Sequence, residues 1–172
     1  MAKNLRQYRV GLDIGSTTAK IAIIDKERNL VLSRYERHNT RITETLERFL
    51  REARKCLGDC DLAFRLTGSA GMGISERSKI PFTQEVIATD IYVRRCYPQT
   101  RTLVDIGGED SKMIFFHKGK SADIRMNGNC AGGTGAFIDQ MVKLLQITPE
   151  ALNQLSAKYQ TLYPIASRCG VF

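Results

Sequence analysis

The chain has 172 residues, of which 42% are hydrophobic and 26% charged, and a formal net charge of +8. This is an ordinary globular composition, enough for one domain or two small ones with a real core. No apolar run approaches the roughly 18–20 residues of a membrane span, and the basic residues are spread out, not clustered with aromatics as nucleic-acid binding would ask.

The N-terminus, Met1-Ala2-Lys3-Asn4-Leu5-Arg6, has no apolar stretch after its basic residues, so we expect no signal peptide and a cytoplasmic protein. Tyr8 to Ile14 reads as a strand through Val10, Leu12 and Ile14, followed by a Gly15-Ser16-Thr17-Thr18 turn. Ala19 to Ile24 and Leu30 to Glu36 continue it as an antiparallel meander. In the third strand Leu30, Leu32 and Arg34 share one face. Thr43 is a candidate N-cap for a helix to Leu57, with Leu46, Phe49, Leu50, Ala53 and Leu57 at helical spacing. A short strand, Leu62 to Leu66, ends in the loop Thr67-Gly68-Ser69-Ala70-Gly71-Met72-Gly73, where strand ends of α/β sheets commonly meet ligands. A helix over Gln84 to Cys96 carries Val86, Ile87, Ile91 and Tyr92, and Pro98 follows it.

Beyond Pro98 the pattern restarts. Thr102 to Ile106, Ser111 to Phe116 and Ala122 to Met126 read as strands, with Gly107-Gly108-Glu109-Asp110 as the first turn. Next comes Asn127-Gly128-Asn129-Cys130-Ala131-Gly132-Gly133-Thr134-Gly135, a glycine-rich turn that opens into an apolar helix. Phe137, Ile138, Met141, Val142, Leu144 and Leu145 form its face. Thr148-Pro149 starts a second helix, to about Lys158. The five cysteines are an odd number in a cytoplasmic setting, so buried thiols or metal ligands are expected in place of disulfides; Cys56 and Cys60 read as structural thiols.

One internal echo organises these elements. Val10 to Lys20 and Leu103 to Lys112 each place Asp-Ile-Gly at a strand end, then a small polar turn, then a lysine entering the next strand. The aspartates are 92 residues apart (105 − 13 = 92). A carboxylate at the end of a buried strand is costly unless it binds something, and a Gly/Ser/Thr turn offers amide N–H groups to phosphate oxygens. Together they suit Mg²⁺ and phosphate. No GxxxxGK[ST] element is present, so this is not a P-loop.

On these residues the chain resembles a known superfamily. Gly11 to Lys20 is similar to the first phosphate motif of the actin, Hsp70 and sugar-kinase ATPases, and Asp105 to Asp110 to the second. The glycine-rich Cys130 turn and Ser167-Arg168-Cys169 resemble one branch: the activators of 2-hydroxyacyl-CoA dehydratases and the ATPase subunits of benzoyl-CoA reductase. The resemblance implies an α/β, ribonuclease H-like fold, with a mixed sheet, antiparallel three-stranded meanders and flanking helices. A first lobe would span residues 1–98, and 99–172 would begin a second, as the N-terminal piece of a larger protein. It implies ATP and Mg²⁺ held between the lobes by Gly11, Asp13, Gly15, Ser16, Thr17, Thr18 and Lys20 on one side and Gly107, Gly108, Gly132 and Gly133 on the other. Glu109 or Asp110 would position the hydrolytic water or Mg²⁺. Cys130 and Cys169 would be each subunit's share of a 4Fe–4S cluster held by a homodimer. The implied function is ATP-driven electron transfer to an acyl-CoA dehydratase or reductase, fed by an acidic ferredoxin or flavodoxin that suits the +8 charge. Two alternatives use the same turns: a sugar-type kinase with Asp105 as base, and a non-catalytic nucleotide-binding assembly module.

Overall fold

A computed structural model describes residues 6–127 and 132–163. The chain divides into two compact units, Met1–Cys96 and Tyr97–Phe172.

The first unit is built on a four-stranded sheet in the order β3-β2-β1-β4. Strands β1 (Arg6–Ile14), β2 (Thr18–Ile24) and β3 (Leu30–Arg37) form the antiparallel meander, and β4 (Cys60–Thr67) pairs parallel with β1. Alternation along β1 sends Tyr8, Val10, Leu12 and Ile14 to one face. There they join Ile21, Ile23, Leu32 and Leu66 under Phe49 and Ala53 of helix α1 (Ile42–Leu57). Burying each large side chain of this set contributes about 1.5–3 kcal/mol. Arg34 and Arg48 reach Glu52 and Glu36 between β3 and α1, pairs that add little because they remain half exposed.

Five local expectations are corrected by the structure. Helix α1 begins at Ile42 with Arg41 at the N-cap position and no side-chain cap, so Thr43 does not cap it. Left-handed Asn39 and Thr40 turn the chain into the helix earlier. Leu30 is exposed, because an irregularity at Ile23/Ile24 shifts the β2–β3 register and leaves only Leu32 buried on that strand. The glycine-rich loop after β4 becomes helix α2 (Gly71–Ser78). Its glycines disfavour helix, yet Ala70 and Ile74 pack against the core. Helix α3 (Glu85–Cys96) turns Val93 inward and leaves Ile87, Ile91 and Tyr92 exposed. Cys56 is also exposed, and Cys60 half-buried, so Cys56 is not the buried thiol expected.

The second unit holds a three-stranded antiparallel sheet, β5 (Thr102–Ile106), β6 (Ser111–Phe115) and β7 (Asp123–Met126). Ile114, Phe116 and Val142 are buried in it. Val142 belongs to α4 (Gly135–Leu145), whose expected apolar face is only partly covered: Leu144 and Leu145 are exposed. Helix α5 (Pro149–Ser156) starts as its sequence indicates, with Ala151 N–H donating to Thr148 Oγ1 at 3.2 Å. Among the described residues no helix is long and apolar enough to cross a membrane.

Candidate functional site

The two Asp-Ile-Gly turns close in the same way. In the first unit Gly15 N–H donates to Thr18 O at 2.9 Å; in the second, Gly107 N–H donates to Asp110 O at 2.8 Å. The cross-strand registers match as well, with Asp13 opposite Lys20 and Asp105 opposite Lys112. The sequence echo is therefore a repeated hairpin, not a coincidence of composition.

Asp13 is the penultimate residue of β1, between Lys20 on β2 and Thr67 on β4. Its Oδ2 accepts from Lys20 Nζ at 2.8 Å, and that ammonium also lies 5.2 Å from the centre of the Tyr35 ring. Its Oδ1 is buried and has no partner among the described residues, and the same is true of Thr67 Oγ1. Unsatisfied buried polar atoms are rare because each costs about 1–3 kcal/mol. Two of them on paired residues at a strand end make this corner the candidate site for a bound group. Gly68 closes this corner: its φ is +88°, and a Cβ there would lie 2.4 Å from Ile14 O and 2.6 Å from Asp13 Oδ1. The N–H groups of Ser16 and Thr17 have no partner among the described residues. A carboxylate oxygen awaiting a cation beside open amide donors suits Mg²⁺ carrying phosphate. Gly11 lies farther back in the ladder, between Ala22 and Arg65, away from the turn.

The second hairpin differs in its charges. Lys112 is buried, and its ammonium contacts Asp110 at 3.1 and 3.2 Å instead of its cross-strand neighbour Asp105. Glu109 is exposed at the tip. Asn127 ties the end of β7 to this hairpin: Ser111 N–H donates to Asn127 Oδ1 at 2.9 Å, and Asn127 N–H to Ser111 O at 3.0 Å. Helix α4 is anchored on the same turn, with Gly135 N–H donating to Gly107 O at 2.8 Å and Ala136 N–H to Gly108 O at 3.0 Å. Gly132 and Gly133 form the turn just before it, Gly133 at φ +79°. Cys130 and Cys169 lie outside the described residues. Among the described residues no cluster of three or more His, Cys, Asp or Glu side chains could hold a metal.

Two contributors escaped the sequence reading. Thr67 was legible only as part of a glycine-rich loop, and its pairing with Asp13 depends on the parallel β1–β4 register. His38 carries no motif at all, yet its ring nitrogen lies 3.1 Å from Gly15 O.

Residues 10–172 match the BadF/BadG/BcrA/BcrD ATPase family. The 2-hydroxyisocaproyl-CoA dehydratase activator of Clostridioides difficile is 33% identical over 172 residues, covering 96% of this chain and 62% of the relative. The (R)-2-hydroxyglutaryl-CoA dehydratase activating ATPase of Acidaminococcus fermentans is 30% identical over 172 residues, covering 96% and 64%. The solved structure of the activator from Clostridium difficile with bound ADPNP superimposes with a TM-score of 0.81 at 30% identity, over 95% of this chain and 62% of that one. The chain thus spans a little under two thirds of the length of these relatives, and its fold is that of the actin-like ATPases and sugar kinases.

Proposed function

Because the chain belongs to the BadF/BadG/BcrA/BcrD ATPase family, we propose that it binds and hydrolyses Mg·ATP to drive low-potential electron transfer to an acyl-CoA dehydratase or reductase. The observation that carries this reading is the orphaned Asp13 Oδ1 beside the open Ser16 and Thr17 amides, in a hairpin that the second unit repeats. Asp13, aided by Thr67, would hold Mg²⁺, directly or through its water. Ser16, Thr17 and Thr18 would bind phosphate from the first hairpin, and Gly108 from the second. Lys20 neutralises the Asp13 carboxylate until the cation arrives.

We assign the orientation of the hydrolytic water to Glu109 in preference to Asp110. Asp110 is engaged by buried Lys112, whereas Glu109 is exposed and unpaired among the described residues. An exposed carboxylate can turn toward a water, and a tethered one serves the turn's shape.

Cys130 and Cys169 would supply two thiolates per chain, and a homodimer four, the number that a 4Fe–4S cluster takes. Such a cluster supplies one electron at low potential when bound. The anchoring of α4 on Gly107 and Gly108 supports a mechanical link, because α4 begins five residues after Cys130 (135 − 130 = 5). On this reading a movement of the phosphate turn would reach the segment that carries Cys130. An acidic ferredoxin or flavodoxin is the donor that suits a chain of net charge +8, and a dehydratase partner follows the relatives' names. Such partners would place it in the cytoplasm.

The test is the visible spectrum of the full-length protein purified without oxygen. The expected result is the broad absorption of a thiolate-ligated cluster, lost in Cys130→Ala and in Cys169→Ala. A colourless protein that binds Mg·ATP normally overturns the electron-transfer reading.

A further inference from the structure

One buried titratable side chain touches the first hairpin from behind. His38 is 4% exposed and directly follows β3. Its backbone N–H donates to Thr17 O at 3.2 Å, and its ring Nε2 lies 3.1 Å from Gly15 O. The other ring nitrogen, Nδ1, lies 3.2 Å from Thr40 N. A backbone amide can only donate, so Nδ1 is the bare nitrogen and Nε2 carries the hydrogen that goes to Gly15 O. This arrangement is held by consecutive left-handed residues, Asn39 at φ 46° and Thr40 at φ 65°. Neither is glycine, and strain of this kind persists only where surrounding structure enforces it.

The consequence lies in the planarity of the peptide bond. In a trans peptide the carbonyl and the following N–H point in opposite directions. Fixing the Gly15 carbonyl on the ring therefore aims the Ser16 N–H away from His38. Fixing the Thr17 carbonyl does the same for the Thr18 N–H. We propose that His38 is a positioning residue for the first phosphate turn: it holds two carbonyls from behind so that amide donors face the phosphate. The inference rests on the nucleotide-binding reading above and adds to it the residue that pre-organises the turn.

Paired substitutions separate the two ring contacts. His38→Asn keeps an acceptor for Thr40 N–H and loses the donor to Gly15 O. His38→Gln carries an N–H at the reach of Nε2. Mg·ATP is titrated calorimetrically into the full-length wild type and both variants, and thermal midpoints are recorded. One hydrogen bond is worth about 0.5–1.5 kcal/mol, or roughly 2- to 12-fold in affinity. We expect that loss in His38→Asn, recovery of most of it in His38→Gln, and similar midpoints for the two. Equal Mg·ATP affinity in wild type and His38→Asn overturns the inference while leaving the nucleotide site intact. So does a loss of affinity that simply follows the loss of thermal midpoint in both variants. A wild type that binds no Mg·ATP overturns the underlying reading, and this inference with it.

Discussion

Gly68 and Gly58 offer a matched pair for testing how the corner behind Asp13 is built. Both have positive φ, +88° and +68°. Gly58 follows α1, with ψ −146°, and nothing lies within 4 Å of where its Cβ would be. Gly58→Ala therefore costs only backbone strain, about 1–3 kcal/mol. Gly68→Ala bears the same kind of strain and adds contacts of 2.4 Å to Ile14 O and 2.6 Å to Asp13 Oδ1. Overpacking of this kind costs about 1–3 kcal/mol. Pushing Ile14 O aside also weakens the bond it accepts from Ala70 N–H at 2.9 Å, about 0.5–1.5 kcal/mol more. The totals are about 2.5–7.5 kcal/mol for Gly68→Ala against about 1–3 for Gly58→Ala. At an m-value of about 2 kcal/mol/M, the midpoints of urea unfolding should differ by about 1–2 M. Gly68→Ala should also lose Mg·ATP binding, because Asp13 must move, whereas Gly58→Ala should retain it. Equal midpoints for the two variants, or undiminished Mg·ATP affinity in Gly68→Ala, would refute the reasoning.

Three further outcomes are expected. Asp13→Asn should weaken Mg·ATP binding by roughly 10-fold or more in calorimetry. Its effect on stability should stay within about 1 kcal/mol, because Lys20, its ion-pair partner, is half exposed. Glu109→Gln should slow ATP hydrolysis by roughly 100-fold with little change in ATP affinity, as measured by phosphate release. Asp110→Ala should destabilise the second unit more than Lys112→Met does, by about 1–3 kcal/mol in thermal unfolding. The first removes a carboxylate from a buried ammonium, whereas the second removes the buried charge itself.

The hairpins were legible because their signals are local. Alternation in Val10, Leu12 and Ile14, and a glycine directly after Asp13-Ile14, specify strand and turn without help from distant residues. The same holds for Thr148-Pro149 at the start of α5. Features set by tertiary contact were hidden. Helix α2 forms at Gly71 against its own propensities because Ala70 and Ile74 find the core. The exposure of Ile87 and Ile91 depends on which way α3 turns, and their hydrophobicity alone pointed inward. At the site, Asp13 was visible as a carboxylate at a strand end, but the company of Thr67 required the β4 register. His38 required a chain reversal through two left-handed residues that no turn motif announces. The engagement of Asp110 depends on the position of Lys112, which no local signal announces.

We propose that both echoed hairpins contribute to nucleotide binding. Calorimetric titration of Mg·ATP into the full-length protein tests it most directly, with Asp13→Asn altering the first hairpin and Gly107→Ala the second. A Cβ at Gly107 would lie 2.7 Å from Asp110 Oδ1 and so disturb that turn. One binding event per chain is expected, weakened by either substitution. Two independent binding events, or one that only a single hairpin influences, would contradict it.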